Sequence, residues 1–443
     1  MKHFLALILV VALALSLAAC GDNNHAVLPS IPSDGSDVLE TDFQKNMNQS
    51  TSTNIYCLCK TTDGYYFQFD CMLYFIDRET GDSTILCGKP DCNRVISEFN
   101  KSCNAYVYTN LLSYYNEKIY YTNSDAVLEN GNYVRKGERL FSMNLDGTEH
   151  DAVQSLDFIP DGDTNNFITE PIIHRGYVYF SYSGALYTAK LGADIENATL
   201  IYGKQKTDDG SHVVDSKEQH YELWADGDLV YFMVKNIQQG NGTYKDTLFC
   251  YDPQSNQSKQ IWQVPEKSEV GTWDTTGVSV SQWYISDGYI YFYLCGNDIW
   301  CTELSTEKTT KLIDLDLEAG VAAFSDKYIT VINKQYNNFM SFAGEPGITG
   351  GDYLYIYDYN GKLIQEISLG QIYQDHKTAF ACHIAFCDAG KVYVYVDATV
   401  SGIYSAAYSS NTVQEHYLYA VDIASGTLGD AVWSYYKEYL GGK

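Results

Sequence analysis

Along most of the chain apolar and polar positions alternate with a period of two, in short runs separated by turns bearing Gly, Asp or Asn. Alternation of that kind predicts strands rather than helices. One five-residue pattern recurs seven times: an aliphatic residue, an aromatic, two variable positions and a polar end. It reads Leu73–Asp77, Leu140–Asn144, Leu186–Lys190, Leu248–Asp252, Ile299–Glu303, Leu354–Asp358 and Leu418–Asp422. A further aromatic strand precedes it, as at Lys118–Tyr121, Tyr177–Phe180, Leu229–Phe232, Tyr289–Phe292 and Lys391–Tyr395, with Tyr328–Val331 a weaker copy. Turns such as Asp146-Gly147, Asn360-Gly361 and Ser425-Gly426 follow, and these are hairpin signals.

A unit of this size cannot bury its own faces, so seven in succession predict a repeat array. Radial stacking of antiparallel blades protects the edges. The expected fold is therefore all-β, a seven-bladed β-propeller over residues 54–443. Whether Asn54–Tyr66 completes the last blade or opens the first is left open.

The repeats are unevenly spaced. In blades 2, 4, 6 and 7 long stretches part the two central strands, over roughly 122–138, 236–247, 333–351 and 397–416. In a propeller these stretches all fall at one end, and insertions gathered there predict a binding face. They carry Tyr133, Arg135, Asn236, Tyr244, Gln335, Tyr336, Asn338, Phe339, Tyr404 and Tyr408. Aromatic rings beside amides suit a sugar or a peptide, through stacking and hydrogen bonds. Ordinary polar loops in a Tyr- and Asn-rich chain are the plainer alternative.

The N-terminus follows a different pattern. A basic start, Met1-Lys2-His3, precedes an apolar run over Phe4–Leu17 and then Ala18-Ala19-Cys20-Gly21. This is the form of a secretory signal peptide and is short for a membrane-spanning helix. Leu17-Ala18-Ala19-Cys20 resembles the lipobox of bacterial lipoproteins. The resemblance implies cleavage of residues 1–19, a lipid-modified Cys20 and a chain held on the extracytoplasmic face of the cell membrane. Residues 20–53, rich in Asp, Asn, Ser and Pro, are expected to be a lipidated, flexible tether.

Composition narrows the partners. With 29 basic against 56 acidic residues the net charge is -27, which argues against nucleic acid and against flat adhesion to anionic lipid. The expected partners are the membrane, through the lipid, and an extracellular glycan, peptide or protein bound by a monomer.

Of 12 cysteines, eleven follow Cys20, so at least one in an exported chain is left unpaired. Cys250 and Cys301 share one register position in two blades and read as core thiols, and Cys295 could pair with Cys301. The five-residue step from Cys382 to Cys387 predicts opposite faces of one strand. Cys87, Cys92 and Cys103 form a local group. With Tyr114-Tyr115-Asn116 and Asn144-Leu145-Asp146-Gly147, the group resembles uncharacterised surface lipoproteins of Clostridia-type bacteria that carry a propeller-like domain. In that family the pattern is Cys, four residues, Cys-x-His, then Cys-x-Ala; here Arg94 stands at the His position. Three thiolates and an imidazole would make a zinc site. With Arg94 present, Cys57, Cys59 or Cys71 would have to supply the fourth donor. A disulfide from Cys87 or Cys92 to Cys103 is the first reading and buried thiols another, so no cofactor is expected, zinc at this loop being the one possibility.

No His-Glu-x-x-His, Gly-x-Ser-x-Gly, P-loop or EF-hand pattern occurs. No catalytic residue is assigned. The expected function is a membrane-anchored, non-catalytic binding or scaffold module. The alternative is a propeller glycosidase or lyase acting on surface polysaccharide.

Overall fold

The computed structural model describes residues 39, 41–44, 47, 57–92, 103–107, 109, 111–129, 132–156, 171–182, 185–203, 221–238, 244–265, 277–278, 280–294, 298–315, 320–333, 353–376, 381–398 and 411–440. Seven antiparallel sheets of four consecutive strands form a ring, a seven-bladed β-propeller. Blade 1 comprises Cys57–Lys60, Gly64–Phe69, Met72–Asp77 and Ser83–Ile85. Blade 2 comprises Leu112–Tyr115, Lys118–Glu129, Asn132–Met143 and Asp151–Ser155. Blade 3 runs from Ile172 to Tyr202, blade 4 from Tyr221 to Gln263 and blade 5 from Val280 to Ile313. Blade 6 runs from Gly320 to Ser368. Blade 7 comprises Ala381–Asp388, Lys391–Asp397, Asn411–Asp422 and Thr427–Leu440. First strands of blades 1 to 4 touch in succession, as do those of blades 5 to 7, around the centre. Cys57–Lys60 opens the first blade, and the seventh blade is complete without it.

The repeated five-residue pattern is the third strand of each blade. Its leading residue, at 73, 140, 186, 248, 299, 354 and 418, is completely buried in all seven. Side chains there pack between blades, which is why an aliphatic residue holds every copy. The polar end serves the next turn. Asp77 accepts the N–H groups of Glu79 and Thr80, Asp358 those of Asn360 and Lys362, and Asp422 that of Ser425. In blades 2, 3, 4, 5 and 7 the pairing of third and fourth strands shifts register just after the leading residue. A bulge sharpens local twist, as a fan of blades requires.

Strand alternation gives the ring two ends. The upper end carries the hairpins between second and third strands and the connections between blades; the lower end carries the other turns. Three expected insertions differ from loops. The stretch 122–138 is a continuous two-stranded ribbon, paired out to Glu129 and Asn132. In blade 4 the pairing reaches Gln238 and Tyr244, braced by Gly277–Val278 in parallel. In blade 7 residues 411–416 belong to a third strand paired with the fourth as far as Leu440. Most of 333–351 and of 397–416 lies outside the described residues.

The expected tether also ends differently. Asp42 is buried and Thr41 O accepts the Arg175 N–H at 2.8 Å. Phe43 N–H donates to His174 Nδ1 at 3.0 Å, and the Phe43 ring meets Trp224 edge-on at 6.0 Å. Gln44 exchanges two 2.7 Å hydrogen bonds with the backbone of Lys60. His174, Arg175 and Trp224 belong to blades 3 and 4 and Lys60 to blade 1. A short segment touching both sides of a seven-membered ring crosses its axis, here at the lower end. Residues 41–44 with Met47 are thus a docked strap, fastened by apolar anchors at Phe43 and Met47. Among the described residues no helix is long and apolar enough to cross a membrane.

One further expectation is corrected. Cys382 and Cys387 lie on the same side of their strand, in one hydrophobic cluster with Ile384. An extra residue, Ala385, bulges between Ile384 and Phe386 and reverses the parity of the strand.

Candidate functional site

The upper end is built from the ribbons of blades 2, 4 and 7. Tyr133 stands opposite Leu128 and Arg135 opposite Ala126 in the ribbon of blade 2. Asn236 falls at the register shift of the blade 4 ribbon, and Tyr244 pairs with Gln238. The backbone places these four at the ribbon ends; their side chains lie outside the described residues. Gln335, Tyr336, Asn338, Phe339, Tyr404 and Tyr408 lie outside the described residues altogether, as do Cys20 and Cys295.

At the base of the blade 4 ribbon stands a buried charged network that sequence reasoning missed. Lys235 Nζ lies 3.1 Å from Glu222 and 3.5 Å from Asp246. Asp246 is fully buried and accepts the Val280 N–H at 2.8 Å, and Glu222 accepts the Trp283 indole N–H at 2.6 Å. Burial pushes the Glu222 carboxyl above its usual range, against the pull of Lys235. Every group here is satisfied by another, so the network is a post that holds the ribbon against blade 5. Its members come from three strands and carry no shared spacing, which hides it from a linear reading.

An equivalent arrangement occurs in blade 7. Tyr395 Oη lies 2.7 Å from His416 Nδ1, and Asp397 lies 3.5 Å from the same nitrogen. Burial depresses the imidazole's affinity for a proton, opposed by Asp397 and Asp70. A neutral, buried histidine beneath Phe69 and Tyr435 is a packing element.

The outer seam of blades 3 and 4 holds an open groove of ≈ 680 Å³, lined by Ile201, Tyr202, Phe249, Asn256, Gln257 and Ser258 with Gly203. Rings and amides line it, and among the described residues no carboxylate, imidazole or ammonium group does. It lies on the circumference, away from the raised ribbons.

The cysteine group is brought together as the sequence suggests. The sulfurs of Cys87, Cys92 and Cys103 all lie within 4.8 Å of one another, an arrangement that could hold a metal ion. Cys87 leaves the last strand of blade 1. Cys103 begins the return, in which Tyr106 bridges Met72 and Ala105 O accepts the Leu73 N–H at 2.8 Å. Cys57, Cys59 and Cys71 are not in the group, so none of them supplies the fourth donor. Arg94 lies outside the described residues. Burial raises the Cys87 thiol, but the backbone amides of Lys89 and Asn104 and the thiols of Cys103 and Cys92 outweigh it, bringing it to about 7. Burial and the neighbouring sulfurs push Cys103 up to about 12, against the amide of Ala105. Cys250 is buried as expected, whereas Cys301 is half-exposed beside Thr310, 3.3 Å away.

No family model matches the chain, and no curated protein matches it. Solved structures do. The computationally designed Ika8 protein is 10% identical, with 79% of this chain and 96% of that one covered, at a TM-score of 0.38. The GH74 xyloglucanase from Xanthomonas campestris is 10% identical at a TM-score of 0.43; 80% of this chain is covered, and it spans about half, 53%, of the xyloglucanase. An oligogalacturonate lyase in complex with manganese is 8% identical over 71% of this chain and 73% of its own, at a TM-score of 0.37.

Proposed function

We propose that this is a lipid-anchored, extracytoplasmic β-propeller that binds a surface glycan, peptide or protein without catalysing a reaction on it. The ligand is received at the upper end. The observation that carries this reading is the elongation of the central strands in blades 2 and 4, and of the third and fourth strands in blade 7, all at that end. A hairpin raised out of the core adds no packing to the ring, so its use is at the surface it builds. The strap agrees with this polarity. It joins the segment after Cys20 to the lower end, and a double acyl chain on Cys20 is a stable anchor. The 21 positions from Cys20 to Thr41 span at most about 70 Å. The upper end then faces away from the membrane.

The test replaces residues 124–138 by an Asn-Gly turn joining Asn123 to Arg139, which are paired in the wild type. The mature wild-type chain and this variant are screened on arrays of cell-surface glycans and peptides. A ligand held by the wild type should be lost by the variant at unchanged melting temperature. Equal binding by both would sink the face assignment, and release of shortened products from a polysaccharide would sink the non-catalytic reading. Cys20→Ala should abolish acyl labelling and membrane retention; a variant still in the membrane fraction refutes the anchor.

A further inference from the structure

We propose that Cys87, Cys92 and Cys103 bind one zinc(II) ion, which pins the connection between blades 1 and 2 to the outer seam of the ring. The inference is independent of what the upper end binds.

Three features separate this group from a disulfide. Convergence is the first: three sulfurs lie within 4.8 Å of one another, whereas a disulfide joins two and leaves the third with no role. Four-coordinate zinc holds sulfur at about 2.3 Å, which sets sulfurs about 3.8 Å apart, so small side-chain rotations close this triangle on the ion. Hydrogen bonding is the second. The backbone amides of Lys89 and Asn104 donate to the Cys87 sulfur and that of Ala105 to the Cys103 sulfur. Amide donors stabilise an anionic thiolate ligand and orient it toward the ion, and they do little for a disulfide sulfur, a weak acceptor. Exposure is the third. Cys87 and Cys103 are buried while Cys92 is half-exposed, so an ion would be reached from solvent at one corner, where a water molecule would complete the shell.

The surroundings show what the ion would hold. A Cβ at Gly88 would stand 2.4 Å from Thr148 Cγ2, so the loop presses on the blade 2 turn. Asn104 Nδ2 donates to Gly147 O of the same turn at 3.1 Å. Gly88 and Asn104 thus both meet the blade 2 turn, where two blades join. An ion shared by Cys87, Cys92 and Cys103 would tie the two ends of the inter-blade connection to each other beside that turn. Zinc fits better than harder cations because all three donors are thiolates.

The test uses the mature chain purified without chelator. Elemental analysis should give about one zinc per chain, and the zinc content of Cys92→Ser and of Cys87→Ser/Cys103→Ser should fall at least tenfold. Because those variants could lose the local fold, the wild type is also refilled with cobalt(II) after chelation. Thiolate-to-cobalt charge-transfer absorption and tetrahedral d–d bands are expected, and alkylation should reach the three cysteines only after the metal is removed. A folded wild type that takes up neither zinc nor cobalt overturns the proposal. So does an intact mass two hydrogens short with a peptide joining two of the three residues, or zinc retained by the variants.

Discussion

Arg175 grips Asp42 with two parallel donors, Nε and Nη2, each 2.9 Å from a different carboxylate oxygen. The two residues are 133 positions apart. The arginine belongs to a lower turn of blade 3 and the aspartate to the strap, so this fork is the latch that holds the strap across the ring. Asp42 and Asp228 both favour the charged guanidinium. The carboxylate side chain is 2% exposed.

Asp42→Ala removes the buried partner of that fork and the acceptor of two charge-assisted hydrogen bonds. Loss of one member of such a pair costs about 3 kcal/mol where burial is high, and here the arginine, a third exposed, recovers part of that in water. The strap should detach while the blades persist. Trypsin cleavage after Lys45 should accelerate at least tenfold in the variant at a temperature where the ring is folded. An unchanged cleavage rate shows that Phe43 and Met47 alone hold the strap.

Closure of the ring rests on a second long-range contact. Among the described residues no strand of the first blade completes the seventh, and side chains join them. Tyr65 donates to Asp388 at 2.8 Å, Lys60 adds a 3.0 Å contact, and the ring of Tyr65 packs on Phe386 at 4.9 Å and Tyr393 at 5.2 Å. At the upper end Tyr435 and Lys437 both reach Asp70. Asp388→Ala strips a carboxylate that is 8% exposed from three donors, Arg78 at 3.6 Å being the third. The expected loss is about 2–4 kcal/mol. Tyr65→Phe, which keeps the ring and removes one hydrogen bond, should lose only about 1 kcal/mol. Urea melts followed by tryptophan fluorescence would rank them, and equal losses would show that the aromatic packing carries the closure by itself.

The parts legible in the sequence are those where each residue's role is local. Leu73 and its six counterparts announce the blades because every one packs between neighbours, and Asp77 or Asp422 announces a turn because it caps one. Cys87, Cys92 and Cys103 could be grouped because little chain separates them. The strap was hidden because its anchors, Phe43 and Met47, are single apolar residues in a polar stretch and acquire meaning only against Trp224 and blade 1. The ribbon of blade 2 was hidden for the opposite reason: its strands stand clear of the core, so alternation no longer marks them. Cys382 and Cys387 were set on opposite faces because a bulge at Ala385 is a product of blade twist, and local sequence does not spell it.

Turn glycines divide by what stands behind them. Gly361, at a φ of +78°, faces Leu312 O of the preceding blade, and a Cβ there would stand 2.4 Å from that oxygen. Gly288 has the same φ of +78° and nothing within 4 Å. Gly288→Ala should therefore cost only the backbone term, about 1 kcal/mol. Gly361→Ala adds a clash with main-chain atoms that cannot step aside and should cost about 2–4 kcal/mol. Thermal melts of the two variants would separate the terms. Equal shifts would mean that blades 5 and 6 can part at this turn without loss.

His416 gives the fold a dependence on pH. Burial holds its proton affinity below the ordinary value of 6.5, and the attraction of Asp397 and Asp70 only partly offsets this. His150 is depressed for the same reason, with its ring held between Tyr121 and Gly147 O. In the unfolded chain both imidazoles take up a proton as the pH falls through 6.5, whereas in the folded chain they stay neutral to a lower pH. Between those two values the unfolded state binds more protons, so stability rises with pH there and is lost on acidification. Melting temperature should thus fall steadily as the pH drops from 6.5, before the carboxylates begin to titrate. His416→Gln, which keeps a polar partner for Tyr395 and cannot take up the proton, should flatten the fall by about half. An unaltered slope in that variant would assign the acid sensitivity to other groups.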